Sequence, residues 1–446
     1  MIRAVNRSKL FLVDIFRKTN ALKFYHEFLK TQWLSYEQIK KMQWEKLIKL
    51  LHHAYKNVPY FHKLFVENDI HPHDIKSIND FRKIPVLTKD IIRENFEDML
   101  SKNIKIFKPY KKSTGGSTGK PLIYFMDRKS RSAQWATLYR LWHIGGWNPG
   151  EKIVYLGGTS LFPSLAEFKK GIYAKLNNWL VLSAFHMSDY NMQQWVNEIR
   201  RSGAKFMYSY ANSAYILANF IKDNNIKDIP IKAVFTTCEP LLPKYRETIE
   251  NVFSCDVFDF YGANDGGGYA FECDVHKGLH CVSEKCFIEV VKEDGAIAGD
   301  GEIGEIVSTD LLNYAMPFIR YKVEDLAIVD SSLCKCGRSL PLLKNIIGRS
   351  HDFITSKHGD KVHGFFFSYM FQKINWINQF YVVQKNDEEL SVYLKPNYNP
   401  PPEEVKYIES LLKRKFTGMQ IEIIITKNLP KTSGSKFRYV INKTLS

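Results

Sequence analysis

The sequence predicts an α/β protein with a large N-terminal domain and a small α+β C-terminal domain, and three observations carry that expectation. The chain has 446 residues, beyond the size at which one hydrophobic core stops growing. From Lys152 to about Glu305, β-rich runs alternate with helical ones, as in a mostly parallel sheet covered by helices. After Arg349 the composition shifts to aromatic clusters, which sets a boundary near Ser350 to Asp352 and leaves 351–446 as the smaller domain. With 45% hydrophobic, 14% aromatic and 25% charged residues, the composition is that of a folded globular chain rather than a disordered one.

Residues 1–100 read as a helical leader to the large domain, 1–350. Trp44, Leu47, Ile48, Leu51 and Ala54 recur at helical spacing, and Pro59, Pro72 and Pro85 break the pattern into short helices. Strand signals follow at Ile153 to Leu156 and Ala233 to Phe235, with helical signals at Gln194 to Arg200 and Lys244 to Phe253. Between Glu284 and Asp330, alternating segments such as Phe287 to Val291 and Glu305 to Val307 stand between Gly-rich turns and predict a β-rich subdomain. In the C-terminal domain a strand pair is expected around Phe380 to Leu394, then a Pro-rich turn at Pro400 to Pro402 and a helix near Glu403 to Lys415.

The formal charge of +16 favours anionic partners without choosing among them. Residues 1–50 hold eleven Lys and Arg against four Asp and Glu, mixed with Leu10, Phe11, Leu12, Val13, Ile15 and Phe16. Two readings follow: a basic amphipathic helix lying on a membrane, or a surface helix packed on the body with its lysines in water. Asp14 interrupts the apolar stretch and no run reaches spanning length, so a cytoplasmic location is expected, with the basic N-terminus as the candidate for peripheral contact with the inner membrane surface. Seven cysteines, an odd number, point to free thiols or a metal site rather than a disulfide framework. No helix-turn-helix, RNP or finger pattern is present, so no nucleic-acid partner is expected.

The strongest local signal is Ser113-Thr114-Gly115-Gly116-Ser117-Thr118-Gly119-Lys120-Pro121. Glycines without Cβ bulk let backbone N–H groups approach phosphate oxygens, while hydroxyls and Lys120 add donors and charge. It is not a Walker A loop, which would need Gly at Thr114 and Ser or Thr at Pro121. Cys273, His280, Cys334 and Cys336 form a second constellation: three thiolates and an imidazole suit a closed tetrahedral structural Zn²⁺ site, with His276, Cys281 and Cys286 as competing ligands and inert buried thiols as the plainer reading.

The Gly-rich loop resembles the ATP-binding loop of adenylate-forming enzymes, and further landmarks follow in that family's order. Thr237-Cys238-Glu239-Pro240-Leu241 is similar to the loop that meets adenine. Tyr261-Gly262-Ala263-Asn264-Asp265 is similar to the segment whose tyrosine stacks on adenine and whose acid holds Mg²⁺. Arg320 to Leu326 resembles the segment whose aspartate, here Asp325, binds ribose, and Gly348-Arg349-Ser350-His351-Asp352 resembles the interdomain hinge. With the leader motif Ala54-Tyr55-Lys56-Asn57-Val58-Pro59-Tyr60, the resemblance spans about 36 to 446 and points to phenylacetate–coenzyme A ligases and their capsule-biosynthesis relatives.

The resemblance implies adenylation of a small-molecule carboxylic acid with ATP and Mg²⁺, then acyl transfer to coenzyme A, with rotation about Asp352 between the two steps. It names Lys436 as the catalytic lysine, with Lys431 as the alternative, and Asp265 as the metal-holding acid. Nucleotide contacts fall on Ser113 to Lys120, Glu239, Pro240, Tyr261, Gly262, Asn264, Asp325 and Arg349, and the acyl-pocket candidates are His143, Tyr208 and Tyr210. Two departures stand out: the family usually carries Glu at Asp265 and Ser or Thr at Asn264, and its catalytic lysine directly follows Gly, where Ser435 stands here. Two other readings are carried: acyl or aminoacyl transfer to a sugar in capsule or O-antigen synthesis, and a non-catalytic basic protein on membrane or nucleic acid.

Overall fold

The computed structural model describes residues 2–114, 121–158, 167–350, 352–371, 374–430 and 439–445. The leader folds into helices Ile2–Arg17, Ala21–Thr31, Tyr36–Asn57, Pro59–Glu67, Ile78–Phe81 and Lys89–Glu94. Ser35 opens the longest of these through a capping box, its Oγ accepting from the Gln38 backbone at 3.3 Å while Gln38 Oε1 accepts from the Ser35 N–H at 3.0 Å. That helix stops at Asn57 because Val58, preceding a proline, is extended (φ −118°, ψ 111°), and Pro59 starts the next helix at its first position.

The large domain is built on one eleven-stranded sheet. Across it lie Cys286–Val291, Ile303–Asp310, Tyr321–Asp330, Leu342–Arg349, Leu279–Cys281, Gly268–Glu272, Asp256–Ala263, Ala233–Thr237, Phe206–Tyr210, Ile153–Gly157 and Trp179–Ser183. The last five are mutually parallel and are linked by helices Glu167–Leu176, Asp189–Ser202, Ala211–Asp223 and Pro243–Phe253. Strands 153–157, 206–210 and 233–237 are buried at every position, as a parallel strand covered on both faces must be.

The expected α/β class holds, with one correction. The sheet is mixed rather than mostly parallel, because the β-rich segment does not fold apart: it continues the same sheet as antiparallel strands, joined where Leu342 and Leu343 pair with His280 and Leu279.

After Arg349 the chain forms a short hairpin, Phe353–Thr355 with Lys361–His363, and a second sheet ordered Gln420–Ile425, Glu389–Pro396, Ile377–Gln384, Val440–Asn442. Helices Phe365–Phe371 and Pro402–Lys415 accompany it, an α+β arrangement. This unit contacts the parallel half through Tyr215, whose hydroxyl donates to Asn378 Oδ1 at 2.8 Å, and through Gln379, whose amide donates to Asn212 Oδ1 at 2.7 Å. Among the described residues no helix is long and apolar enough to cross a membrane.

Candidate active site

In open α/β sheets ligands bind beyond the carboxyl ends of the parallel strands. Here those ends deliver Tyr210, Thr237 and, from the neighbouring strand Asp256–Ala263, the Tyr261 segment. Beyond Thr237 the chain turns through Cys238, a non-glycine residue at φ +70°, a conformation that costs of the order of 1–3 kcal/mol and concentrates at functional turns. The turn aims Glu239 at the start of helix Ala211–Asp223, where Oε2 accepts the Asn212 N–H at 3.0 Å; Pro240 is exposed beside it.

Strand Asp256–Ala263 then reverses into Gly268–Glu272 through Asn264, Asp265, Gly266 and Gly267. Glycine is required at both turn positions. At Gly266 (φ +76°) a Cβ would stand 2.3 Å from the Tyr321 ring, and at Gly267 (φ +69°) one would stand 2.5 Å from Asp310 Oδ2. The tight reversal places Asp265 Oδ2 to accept the Tyr321 hydroxyl at 2.8 Å, while Asn264 Oδ1 accepts from Tyr269 at 2.9 Å and from the Gln134 amide. Gly262 leaves the strand surface open between the Phe260 and Tyr269 rings, which a Cβ would meet at 3.0 and 3.2 Å.

Tyr261 reaches across to the antiparallel half, where its hydroxyl donates to Asp325 Oδ2 at 2.8 Å. Asp325 and Arg349 are directly opposite in the pairing of their strands, and Arg349 Nε lies 3.2 Å from Asp325 Oδ1. The carboxylate raises the guanidinium pKa further above its usual value, and burial together with Asp325 pushes the Tyr261 phenol well up. Asp325 is thus an acceptor held between two donors.

Ser113 ends strand Tyr110–Ser113, which pairs with Ile123–Met126, so the Gly-rich segment connects the two strands of a hairpin. The hairpin closes at Thr114, whose N–H donates to the Leu122 carbonyl and whose Oγ1 accepts from the Leu122 N–H, both at 2.9 Å. Gly115, Gly116, Ser117, Thr118, Gly119 and Lys120 lie outside the described residues, as do His351, Lys431, Ser435 and Lys436. Lys112, one residue before the motif, was not singled out by sequence reasoning. It donates to Gln134 Oε1 at 3.2 Å, next to Asn264, and burial with the nearby charges of Arg131 and Lys285 brings its pKa down to about 7.

The acyl-pocket candidates do not gather. Tyr208 is 3% exposed and packs in the aromatic core with Trp142 and Tyr155, ring centroids 5.5 and 5.1 Å away. His143 is exposed at the end of helix Arg128–Ile144, edge-on to Tyr25 of the leader. Tyr210 alone lies at the strand ends, its hydroxyl 3.1 Å from where a Cβ on Gly158 would stand, with the Phe185 ring 2.6 Å from the same point. Gly158 and Phe185 carried no motif.

Asp352, the expected hinge residue, stands between strands Leu342–Arg349 and Phe353–Thr355, its N–H donating to the Arg349 carbonyl at 3.0 Å and its own carbonyl accepting from Gly364 at 2.7 Å. Beyond residues 431–438, which lie outside the described residues, the Tyr439 and Tyr245 hydroxyls meet at 3.2 Å, and Glu239 adds to the burial that pushes the Tyr439 phenol well up.

Cys273, His280, Cys334 and Cys336 bring one ligand atom each to within 4.8 Å of one another. Cys273 and Cys334 Sγ atoms are 3.6 Å apart, and Cys336 Sγ is 3.4 Å from His280 Nε2. A tetrahedron with metal–sulfur bonds of about 2.3 Å and metal–nitrogen bonds of about 2.1 Å has edges of about 3.6–3.8 Å, so the donors fit one ion. His280 turns its other ring nitrogen toward the Leu340 carbonyl at 3.4 Å, and burial brings its pKa down to about 4, leaving the neutral imidazole a metal requires. The competing ligands lie elsewhere: His276 faces Glu272 at 3.4 Å, Cys286 Sγ bonds the Val282 carbonyl at 3.3 Å, and Cys281 is buried in the apolar core.

Residues 354–443 match the family model of the CapK C-terminal domain. Over 440 residues the chain is 25% identical to Protein CapK of Staphylococcus aureus, covering 96% of this chain and 94% of that protein. It is 27% identical to the phenylacetate-coenzyme A ligase of Escherichia coli strain K12 over 330 residues, 72% of this chain and 73% of the ligase. Among solved structures, 2-hydroxyisobutyryl-CoA ligase in its postadenylation state superposes with a TM-score of 0.72 at 19% identity, over 91% of this chain and 90% of that one. The same ligase in its thioesterification state gives 0.60 at 18% identity, over 91% and 90%. Along nearly its whole length the chain is thus similar to Protein CapK, over most of it to phenylacetate-coenzyme A ligases, and its fold is that of the solved 2-hydroxyisobutyryl-CoA ligase.

Proposed function

We propose that the chain adenylates a carboxylic acid with ATP, releasing pyrophosphate, and passes the acyl group to coenzyme A. The observation that carries this reading is the Tyr261–Asp325–Arg349 interlock beside Asp265, at the carboxyl edge of the parallel strands. The Asp325 carboxyl, held by two donors, keeps lone pairs for ribose hydroxyls, and the Tyr261 ring offers a face to adenine. Joining a carboxylate to the α-phosphorus brings two anions together and builds charge on the leaving pyrophosphate. The Gly-rich loop, Lys112 and Lys436 supply the opposing donors and charge, and Asp265 holds Mg²⁺, which adds electrostatic stabilisation when bound. The better superposition on a postadenylation form than on a thioesterification form supports an adenylate-side domain arrangement, with rotation about Asp352 bringing in the acceptor.

A second reading has its own support. The C-terminal domain, which would present the acceptor, matches the CapK family, and the CapK relative aligns over 96% of the chain against 72% for the ligase. Acyl transfer to a sugar amine or hydroxyl of a surface polysaccharide is therefore the alternative.

One experiment tests both halves. Pyrophosphate release is screened against a panel of carboxylic acids, and with an accepted acid AMP release is followed on adding coenzyme A or nucleotide sugars separately. Thioester formation supports the ligase reading, and sugar-driven AMP release with indifference to coenzyme A overturns it. Lys436→Ala is expected to lower pyrophosphate release by about 10²–10³-fold, the usual size of a lost transition-state donor; a larger loss from Lys431→Ala would mean the lysine is misassigned.

We also infer a structural Zn²⁺ held by Cys273, His280, Cys334 and Cys336. All four positions are filled by protein, which leaves none for catalysis.

A further inference from the structure

We propose that the outward face of the first helix, Ile2–Arg17, is a docking surface for an anionic lipid bilayer, with the helix lying along the membrane plane. Phe11, Leu12, Ile15 and Phe16 fall on one side of the helix and are 63%, 50%, 59% and 44% exposed. On the other side Leu10, Val13, Asp14 and Arg17 are buried. Ile172, 40% exposed on the adjoining helix Glu167–Leu176, adds to the apolar surface.

The helix cannot roll to hide these residues, because its inner face is locked by polar contacts. Arg17 donates to the Tyr173 and Tyr139 hydroxyls at 2.6 Å each and to Asn177 Oδ1 at 2.7 Å, with its guanidinium 3.4 Å from the centre of the Trp135 ring. Asp14 accepts from the backbone N–H groups of Ala21 and Leu22 at 2.8 and 3.0 Å and from Thr19 Oγ1 at 2.6 Å, fixing the turn into the second helix. Rolling inward would strip a buried guanidinium and a buried carboxylate of these partners. Four large apolar side chains are thus held in water by a rigid support, which is the arrangement of an interfacial helix rather than of a helix awaiting a core.

Charge selects the occupant. Residues 1–50 carry eleven basic against four acidic residues in a chain of net charge +16, and the exposed Lys18 ends the helix. A second copy would bring the same positive charge to the contact, whereas an anionic headgroup layer complements it while its acyl boundary receives the phenylalanine, leucine and isoleucine side chains.

The test is flotation of the full chain with vesicles of phosphatidylglycerol and phosphatidylethanolamine, compared with vesicles of phosphatidylcholine alone. Binding is expected to the anionic vesicles, weakening as salt is raised, and to fall at least ten-fold in the Phe11→Ser/Ile15→Ser variant with its melting temperature unchanged. Failure of the unaltered chain to float with anionic vesicles, or equal flotation of the variant, overturns the proposal. So does a concentration-dependent dimer that the same variant dissolves without any vesicle binding, which would assign the face to a second copy. Lys18→Glu is a further arm that leaves the apolar face intact, and no loss of binding there overturns the choice of an anionic surface.

Discussion

Asp325 is the residue on which the two halves of the sheet meet, since its carboxylate joins Tyr261 of the parallel half to Arg349 of the antiparallel half. Hydrogen bonds to a charged group contribute about 1.5–3 kcal/mol, so Asp325→Ala is expected to raise KM for ATP about 10- to 100-fold, with Tyr261→Phe at or below the lower end. Steady-state kinetics over ATP concentration checks this, and an unchanged KM would detach Asp325 from the nucleotide. Lys112 leads to a pH prediction. Its pKa in the free protein is about 7 and a bound triphosphate would raise it, so ATP binding takes up a proton above pH 7. Affinity should therefore weaken as pH climbs from 7 toward 10 and be level below 7, and Lys112→Met should flatten the slope. Titration calorimetry in two buffers of different ionisation enthalpy measures the proton directly. Lys112 was illegible in the sequence because it joins the candidate site through Gln134, which itself bonds Asn264, a chain of contacts formed only in the fold. Tyr208 shows the converse: an aromatic residue at a suggestive position is drawn into the core by Trp142 and Tyr155.

At the scale of elements, local chemistry was legible and long-range pairing was not. Pro59 breaks the leader where the sequence expects it, the helix expected near Glu403 to Lys415 runs Pro402–Lys415, and the strand pair expected near Phe380 to Leu394 appears as Ile377–Gln384 with Glu389–Pro396. The continuity of the β-rich segment with the parallel sheet escaped notice because it rests on a two-residue pairing of Leu342 and Leu343 with His280 and Leu279, about 60 positions away, too short to leave a periodic signal. The Cys/His cluster sits at this junction, with His280 itself in the pairing. One zinc per chain is expected by elemental analysis, and Cys334→Ser or chelation should lower the melting temperature by several degrees while a zinc-loaded control keeps its activity. A chain purified free of metal and as stable as Cys334→Ser would remove the ion.

For the whole molecule, the C-terminal domain is held against the parallel half by Tyr215–Asn378 and Asn212–Gln379. Each such bond contributes about 0.5–1.5 kcal/mol, so Asn378→Ala with Gln379→Ala, which loses two, should lower the ratio of pyrophosphate release to acyl transfer by roughly 5-fold or more. Equal slowing of both half-reactions would instead mark the contacts as plain stabilisers. The composition shift after Arg349 was legible and the α+β unit that follows is seen in the fold, whereas the resting position of that unit depends on pairings that no local pattern encodes.

The junction between the two halves of the sheet has a kinetic corollary. Cys273 and Cys334 are 61 positions apart, and until that loop closes, Tyr261 and Asp325 belong to separate pieces of structure. Closing a loop of this length is an entropic barrier met late in folding, after the local hairpins and helices are in place. During refolding, far-ultraviolet dichroism should therefore recover before nucleotide binding does. An ion captured at the four-ligand cluster would shorten that lag by holding the closed loop once formed, which makes the cluster a timekeeper for the appearance of a competent site.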